Sequence, residues 1–591
     1  MKDFRLVDSF KGYVNSTDVT NLDPRFLVAP SQNVIINDGE KVVTRNGYSL
    51  YGAADSTTLL PVQSSFEWTT STGTEIPLRA YDDELEFAYG GTWYRLQNSY
   101  TSVAFSFTTW WDATAATDKL IFVNGTSDLH TWTGAITTFA SATAATITKE
   151  GTNTWAQDRF LTAGTRQVTI GGTVYTYTGG ESTTTLTGVT PDPTLGAYAA
   201  GAVVFQTLIE TANKPAATSF TNDIVSTLKN QLYVGSYKYR DVYVSKSSDY
   251  SDFAYTATRL PGEGALLTLD ATPVAFAPQE EDLYIGTKDG WFRTSFRLSA
   301  DNTSESLTVE RLKASRAKAP YAQSSVAKAG NFVIYFTNEK TLDSLGRVEN
   351  IDTPESRPLS DAIRDELLGY DLTVAPHIRY HDNQLIVVFP SEGKMLIYDF
   401  YQKLWQPPQT FPVRRVAVIG GLLCGHSNAV AETYTLFAED VYADNGSAVD
   451  ARCALAYQSY GARAWPKTFD EWYTELYKLP NSVVTLTLKY DFGGSTKTAS
   501  YEIGDLAARH VFATVSDGSL GKWPVGSQPI GSVTDQPDDL EKVRVIHTAK
   551  AADVYEVQAV YSSDDVDQRW QLVATGGNVK LSRNDNVNIK A

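Results

Sequence analysis

The histidines and the acidic clusters are the residues of this sequence whose types and spacing could support chemistry. His377 and His381 are four residues apart, and on a helix this spacing would let two imidazoles bind one metal ion. The residues between them begin with Ile378 and predict the entry of a strand, so we expect ordinary polar roles. The acidic run at 82–84, DDE, could hold a cation, but its place between short strand-like runs favours a hairpin turn with solvated carboxylates.

Two further stretches have partial catalytic signatures. Residues 425–429, GHSNA, are similar to a nucleophile elbow, but the second glycine is absent and no strand-to-helix turn is predicted after Ser427. Residues 247–253, SSDYSDF, are similar to the Asp-box turn of sialidase propellers but have neither its glycine nor its tryptophan. No P-loop, HExxH or CxxC motif occurs. We therefore predict no catalytic residue, no metal ligands and no cofactor, and a protein that is not an enzyme.

Charge and composition exclude several classes of protein. The chain has 50 basic and 68 acidic residues and a formal net charge of −18, which opposes binding to nucleic acid by counterion release. The two cysteines, Cys424 and Cys453, cannot form a disulfide framework and favour folding in a reducing cytoplasm. The first ten residues lack the apolar region of a signal peptide, and no run of about 18 apolar residues occurs, so we expect no membrane span.

Short segments rich in Val, Thr and Tyr, separated by Gly, Asn and Asp, predict an all-β protein. The clearest example is Gln384–Phe437, which has four strand-like runs joined by tight turns and which we interpret as one blade of a β-propeller. A similar pattern of strands and turns recurs about every fifty residues, as expected of propeller blades with four strands each. One helix is predicted at Asp361–Leu368, with Ser360 as its N-cap.

Changes in the sequence pattern along the chain predict a β-propeller with a small inserted β-domain and a C-terminal β-sandwich. The sandwich has one strand, Val483–Tyr490, with Val484, Leu486 and Leu488 on one face, and the N-terminal segment has one hairpin, Ser31–Ile36 with Glu40–Thr44. The predicted division is an N-terminal docking or platform segment at 1–59, first propeller strands at 60–165, the insertion at 166–210, the remaining blades at 211–450 and the sandwich or platform region at 451–591.

Several stretches resemble the tail nozzle proteins (tail tubular protein B) of short-tailed bacteriophages. The N-terminal spelling of that family, "aNv…dG…RpGy", is matched by SQNVIINDGEKVVTRNGYSLYG, with Asn46 where proline is common. Residues 395–406, MLIYDFYQKLWQ, resemble a strand of such tail propellers, and 460–478, YGARAWPKTFDEWYTELYK, resemble the start of their platform sandwich. The Thr-rich stretch YTYTGGESTTTLTGVTPDPT resembles an inserted segment of phage tail proteins.

The resemblance implies a structural virion protein of the tail, synthesised in the host cytoplasm. Members form a hexameric ring below an adaptor ring, near tail fibres or spikes, and the lumen conducts and gates the genomic DNA during ejection without binding it specifically. On this basis we assign a candidate assembly interface to the residues that carry the N-terminal match: Asn33, Arg45, Asn46, Gly47 and Tyr48. Taken alone, Arg45 beside an aromatic residue and a turn is typical of a surface ion pair or a stacking residue.

Two alternatives stay open. Trp110, Trp111, Trp465 and Trp472 could stack on sugar rings, as in a carbohydrate-binding or carbohydrate-hydrolysing receptor-recognition propeller of a phage tail. The same aromatics could equally pack between blades or between subunits. The second alternative is a stopper or tip component of a long-tailed phage, built from the same parts.

Overall fold

The computed structural model describes most of the chain, and all structural statements below concern this part. The described residues are 3–15, 22–52, 60–101, 104–112, 117–126, 128–164, 166–206, 210–212, 215, 220–256, 259–298, 305–312, 318–348, 351–460, 466–479, 482–491, 498–503, 511–516, 541–564 and 568–581.

Seven sheets of the described residues form a closed ring, because the innermost strand of each sheet lies beside the innermost strands of the two neighbouring sheets. Each sheet is a blade, and the ring is a β-propeller. From the innermost strand outwards, blade 1 consists of Ser64–Thr69, Glu75–Tyr81, Glu84–Tyr89 and Thr92–Gln97; blade 2 of Ser106–Asp112, Thr117–Val123, Leu129–Trp132 and Glu210–Ala212; and blade 3 of Ile224–Leu228, Gln231–Gly235, Asp241–Val244 and Ala265–Thr268. Blade 4 consists of Pro273–Gln279, Asp282–Thr287, Gly290–Leu298 and Glu305–Arg311; blade 5 of Val326–Ala329, Phe332–Phe336, Leu342–Val348 and Ile351–Pro358; blade 6 of His377–His381, Gln384–Phe389, Lys394–Asp399 and Leu404–Trp405, with Gln409–Thr410 also on its third strand; and blade 7 of Val413–Ile419, Leu422–Ser427, Thr433–Thr435 and Ser49–Leu50.

The second strand of a blade is buried on both faces, which explains its unbroken apolar run. In blade 5, Val333 and Tyr335 pack towards blade 4, whereas Ile334 and Phe336 pack towards blade 6. Successive side chains of a strand point to opposite faces, so a strand between two neighbouring blades needs apolar residues at every position. A hydrophobic core therefore lies between each pair of adjacent blades.

The stretch Gln384–Phe437, predicted as one blade, is divided between two blades. Gln384–Phe389 and Lys394–Asp399 belong to blade 6, whereas Val413–Ile419 begins blade 7 as its innermost strand. The prediction was wrong because the innermost strand of blade 6, His377–His381, has alternating polar residues and no apolar run. One face of an innermost strand lies on the central channel, where polar side chains are tolerated. The sequence pattern of such a strand therefore lacks the apolar run that identifies a core strand.

The inserted β-domain is a six-stranded sheet placed between the third and fourth strands of blade 2. Its order along the sheet is Thr173–Thr176, Gln167–Ile170, Val203–Phe205, Ile136–Thr143, Thr146–Lys149 and Thr185–Thr187, and a 3-10 turn covers Pro193–Gly196. It has its own core around Trp155 and Phe160. The predicted limits 166–210 leave out its first two strands, because ITTFASAT and TITK alternate like blade strands.

The C-terminal region is a sandwich of two antiparallel sheets. One of these sheets also contains strands from the N-terminal segment. The larger sheet consists of Asp3–Val7, Val34–Ile36, Val42–Thr44, Lys467–Lys478, Val511–Ser516, Glu541–Val554 and Trp570–Leu581; the smaller of Ala451–Ala454, Val484–Tyr490, Thr498–Ile503 and Val557–Ser563. Trp472 of the larger sheet donates from Nε1 to Tyr561 Oη of the smaller at 3.2 Å. The predicted fold class, an all-β propeller with an inserted β-domain and a sandwich, is confirmed.

Three local predictions have different outcomes. The hairpin is confirmed with shorter strands, as Val34–Ile36 pairs with Val42–Thr44. The helix is present as a 3-10 turn, Asp361–Ile363, followed by an α-helix at Arg364–Gly369. Ser360 does not cap it, because its Oγ instead accepts the backbone N–H of Leu342 at 3.0 Å. No helix in the described part of the chain is long and apolar enough to cross a membrane.

The propeller closes where blade 7 meets blade 1, around a buried histidine. Nδ1 of His426 lies 3.0 Å from Thr433 Oγ1, which also accepts a hydrogen bond from Nη1 of Arg79 at 3.1 Å. Arg79 forms an ion pair with Glu86 (Nε to Oε2, 2.8 Å) and lies over the ring of Trp93. Burial, and then the nearby positive charge of Arg79, lower the pKa of His426 to about 3.

His426 makes this seam sensitive to acid. Its pKa is about 3 in the folded chain and about 6.5 when unfolded, so the unfolded chain binds more protons between these values. The stability from neutral His426 is therefore fully present above pH 6.5 and is lost as pH falls towards 3. In urea denaturation at pH 7.5 and pH 5, we expect the parent to lose about 2 kcal/mol more than His426→Gln. Equal losses in the two proteins would contradict this role.

Candidate functional site at the junction of propeller and sandwich

The two histidines with metal-binding spacing are not brought together. His377 and His381 occupy opposite ends of one strand, which separates them by about 13 Å. The acidic run at 82–84 is a hairpin turn in which Glu84 forms an ion pair with Arg95 at 2.7 Å. No cluster of three or more His, Cys, Asp or Glu residues within the described ranges could hold a metal ion.

The two stretches with partial catalytic signatures form a strand end and two turns. Gly425 and His426 lie in the second strand of blade 7, and Ser427 Oγ accepts the backbone N–H groups of Ala429 and Val430 at 3.2 Å, as in a turn. Residues 247–253 form a second turn, closed by the ion pair of Lys246 with Asp252 at 2.5 Å. Neither stretch presents a nucleophile beside a base.

The tryptophans considered for sugar stacking are mostly inside the molecule. Trp110 lies in the core between blades 2 and 3, and Trp472 lies between the two sheets of the sandwich. Trp111 is 45% exposed, and Trp465 lies outside the described residues. Trp110, Trp111 and Trp472 therefore do not form a shared stacking platform.

The residues of the candidate assembly interface lie where the N-terminal segment joins the propeller to the sandwich. Arg45 is buried, and all five of its guanidinium N–H groups have acceptors. Nε donates to Asn33 Oδ1 (3.0 Å), Nη1 to Asn46 O (3.0 Å) and Asp444 Oδ1 (2.7 Å), and Nη2 to Thr410 O (3.0 Å) and Asp444 Oδ2 (2.5 Å). The bidentate pair with Asp444 is the strongest geometry for these two groups.

Phe411 completes the surroundings of the guanidinium. The Arg45 Cζ lies 4.0 Å from the centroid of the Phe411 ring, a cation–π geometry. Tyr48 contacts the same ring edge to face, with centroids 5.9 Å apart, and also packs on Tyr434 of blade 7. Arg45 is thus both an ion-pair and a stacking residue, as expected from the sequence, but it lies in the interior and not at the surface.

Asn33 is the second centre of this junction. Its backbone is left-handed, with φ of 55°, a conformation that asparagine adopts more readily than most residues. Its Oδ1 accepts from Arg45 and from the backbone N–H of Thr410 (2.7 Å), and its Nδ2 donates to the carbonyl of Asp450 (2.8 Å). One amide therefore links the N-terminal segment to blade 6 and to the chain entering the sandwich.

Gly47 allows the closest approach between backbones at this junction. A Cβ at position 47 would overlap the carbonyl group of Ala443, so only glycine fits without displacement of the chain. The Gly47 N–H donates to the carbonyl of Val441 at 2.6 Å. The segment that follows, Ser49–Leu50, is the outermost strand of blade 7.

A second, largely buried carboxylate anchors the N-terminal segment to the helix between blades 5 and 6. Glu366 accepts hydrogen bonds from Tyr13 (2.9 Å), Asn15 (2.6 Å), Tyr370 (2.7 Å) and Lys394 (3.2 Å). Burial acts to raise the pKa of Glu366, but these hydrogen bonds and the charge of Lys394 together lower it. The segment is therefore fixed at two places.

The arrangement connects the N-terminal segment, the propeller and the sandwich mechanically. Beside Arg45 there is a cavity of about 690 Å³ between blades 6 and 7 and the larger sandwich sheet, bordered also by His381, Tyr477 and Arg569. Because Asn33 and Arg45 are satisfied inside one chain, their side chains are not offered to a second subunit. Their assembly role stays a prediction, and it would have to be indirect.

The partners of these residues are not predicted by the sequence. Asp444, Thr410 and Glu366 are more than 300 residues away from the N-terminal residues that they bind. The available signal for Asp444 was its position directly before the Asn445-Gly446 turn, which also fits an ordinary loop. Nothing local in the sequence pairs it with Arg45.

We expect Arg45→Met to lower the free energy of unfolding by about 3 kcal/mol, because it leaves the largely buried carboxylate of Asp444 without its cation. Urea denaturation followed by tryptophan fluorescence measures this. Adding Asp444→Asn should restore part of the loss, as a double-mutant cycle would show. The matched control is Arg452→Met, which breaks an exposed pair with Asp450 and should cost less than about 1 kcal/mol. Equal losses at positions 45 and 452 would contradict the assignment.

We expect Gly47→Ala to destabilise the chain by about 3 kcal/mol or more, because the added methyl group meets the backbone of Ala443 and not a movable side chain. Gly369→Ala is the control, since a Cβ there meets no atom within 4 Å. Thermal unfolding of both variants measures the difference. A Gly47→Ala protein as stable as Gly369→Ala would exclude the close approach.

No protein-family model matches the chain, and no curated protein matches it. Solved structures similar to it include the computationally designed Ika8 protein (TM-score 0.33, 9% identity, covering 66% of this chain and 100% of that chain). Others are BBS1N in complex with ARL6DN (TM-score 0.34, 11%, 66% and 97%) and Kluyveromyces lactis Hsv2 (TM-score 0.23, 9%, 59% and 97%). At these TM-scores the assignment of a propeller depends on the sheet topology of this chain itself.

Proposed function

We propose that the chain is a structural subunit of a short-tailed bacteriophage tail nozzle, which forms a hexameric ring under an adaptor ring and conducts genomic DNA. The observation that supports this most is the position of the residues that carry the family resemblance. Asn33, Arg45 and Gly47 hold the propeller and the sandwich together. The residues shared with the family pattern thus lie at the junction of the propeller and the sandwich. A nozzle subunit would need this junction to hold its two domains together.

The larger sandwich sheet has dimensions suited to the wall of a ring. Its three adjacent central strands, Trp570–Leu581, Lys467–Lys478 and Glu541–Val554, have 12, 12 and 14 residues. Strands of globular proteins usually have about 5 or 6 residues. At about 3.3 Å per residue these strands extend for roughly 40 Å, long enough to form a continuous wall segment.

The net charge favours transit of DNA over its retention. Each chain has a formal charge of −18, and a ring of such chains multiplies it. Repulsion between an acidic wall and phosphates keeps the duplex from adhering. This property also belongs to many acidic proteins, so it supports the proposal together with the architecture and not by itself.

Imaging tests the proposal directly. Phage particles that contain this chain, and the purified full-length chain, are examined by negative-stain microscopy and single-particle averaging. We expect six-fold rings at the tail, in the position below the adaptor, that bind antibodies raised against this chain. Symmetric closed rings are the normal outcome of a repeated head-to-tail contact. A chain that is monomeric in the purified tail, or located on the fibres, would overturn the proposal.

The receptor-recognition alternative predicts a different result in the same preparation. A carbohydrate-binding or carbohydrate-hydrolysing propeller would bind or degrade host polysaccharide and label the periphery of the tail. Trp111 is the exposed residue through which stacking could be tested, by Trp111→Ala. The nozzle proposal expects that substitution to leave adsorption of the phage unchanged.

A further inference from the structure

The central channel of the propeller opens into a cavity with an unusual charge. The cavity has a volume of about 650 Å³ and lies where the innermost strands begin, with residues from blades 1, 2, 3, 5, 6 and 7 around it. This is within the usual volume range for small-molecule sites. Its charged lining residues are three cations, Lys328, Arg379 and Arg415, and a single acid, Asp223. In a chain of net charge −18, this cavity is locally positive.

The acid in the cavity is already engaged by its own loop. Asp223 Oδ2 accepts hydrogen bonds from the backbone N–H of Tyr237 (2.7 Å), from Ser236 Oγ (2.9 Å) and from Thr221 Oγ1 (2.9 Å). These bonds hold the carboxylate at the start of blade 3. It makes no ion pair with the described cations of the cavity.

One of the three cations is neutralised deeper in the channel. Arg379 of blade 6 forms an ion pair with Glu67 of blade 1, whose other oxygen accepts the backbone N–H of Val418 of blade 7 at 2.6 Å. The Arg379 side of this pair also lines the cavity, and the pair connects blade 6 to blade 1 past blade 7. The Nε of Arg379 has no hydrogen-bond partner among the described residues.

Arg415 lies at the start of blade 7 without such compensation. Its guanidinium makes no hydrogen bond and no ion pair with any residue that the structure describes, although Tyr237 is close enough to interact electrostatically. Burial, and then the charge of Arg414, lower the pKa of Arg415 to about 10, so it remains a cation at neutral pH. A guanidinium in this position has its donors available to a bound anion.

His377 supplies a further donor beside Arg415. Its Nδ1 accepts the backbone N–H of Val416 at 3.2 Å, and burial holds its pKa well below its ordinary value, so the ring is neutral. In a neutral imidazole whose Nδ1 is an acceptor, Nε2 carries the hydrogen. His377 lines the cavity together with Tyr237 and Tyr380.

We propose that the channel-mouth cavity, defined by Arg415, His377, Tyr237 and Lys328, is a binding site for a small oxyanion, a carboxylate or phosphate group on a soluble molecule. Guanidinium groups bind these planar or tetrahedral oxyanions with charge-assisted hydrogen bonds. The cavity volume of about 650 Å³ restricts the site to a small ligand. This site is separate from the propeller–sandwich junction and does not depend on ring assembly.

Thermal unfolding of the full chain tests the site with inorganic phosphate and citrate as probes and with chloride at matched ionic strength. We expect phosphate or citrate to raise the transition midpoint with the logarithm of its concentration, and chloride to leave it unchanged. The probe that acts at the lower concentration identifies the group as phosphate or carboxylate. Equal effects of all three anions, or no effect of either oxyanion, would overturn the proposal.

Substitutions locate the effect. Arg415→Gln should weaken binding at least ten-fold in isothermal titration, and Lys328→Gln, at the exposed edge, about three-fold. Arg452→Gln, far away in the sandwich, should leave affinity unchanged. Because the Arg415 guanidinium makes no bond within the described chain, Arg415→Gln should keep or raise the midpoint of the unliganded protein. An Arg415→Gln protein that binds as tightly as the parent, or one that binds weakly only because it is unfolded while Lys328→Gln binds normally, would contradict the site.

Discussion

The structure depends on one buried ion pair, Arg45 with Asp444. A guanidinium that is removed from water must find an acceptor for each of its five N–H groups, or the cost of burial exceeds the attraction. Here the acceptors come from widely separated parts of the chain, at Asn33, Asn46, Thr410 and Asp444. The pair therefore fixes the N-terminal segment, the end of blade 6 and the exit from blade 7 in one geometry, and these parts cannot separate without breaking the ion pair and its hydrogen bonds.

Closure of the propeller follows from the same geometry. Once Arg45 is held, Gly47 must pass directly against the backbone of Ala443, and the next residues become the outer strand of blade 7. The strands before Arg45 simultaneously enter the larger sandwich sheet, where Val42–Thr44 pairs with Trp570–Leu581. Closure of the propeller and formation of the sandwich thus both depend on one fixed segment. This segment connects the N-terminal part of the chain to its C-terminal part.

The parts of the fold that could be predicted are those where burial determines the local pattern. Val484, Leu486 and Leu488 alternate because one face of their strand is buried, and Gln384–Phe389 is unbroken because both faces are. The prediction failed at His377–His381, whose channel face permits polar residues, so the boundary between blades 6 and 7 was misplaced. The role of Arg45 could not be predicted, because it depends on an ion pair with a carboxylate 399 residues away in the sequence. The channel-mouth cavity could not be predicted either, because its cations lie on three different blades that are distant in the sequence.

The ion pair of Glu67 with Arg379 also limits what the propeller can do in a nozzle. It connects blades 1 and 6 inside the channel, with Val418 of blade 7 bonded to the same carboxylate. A duplex cannot pass through a channel crossed by side chains that are bonded to each other in this way. A conduit for DNA must therefore lie between chains and not within one, so the function that we propose requires assembly. The locally positive channel mouth inside each propeller is therefore separate from such a conduit.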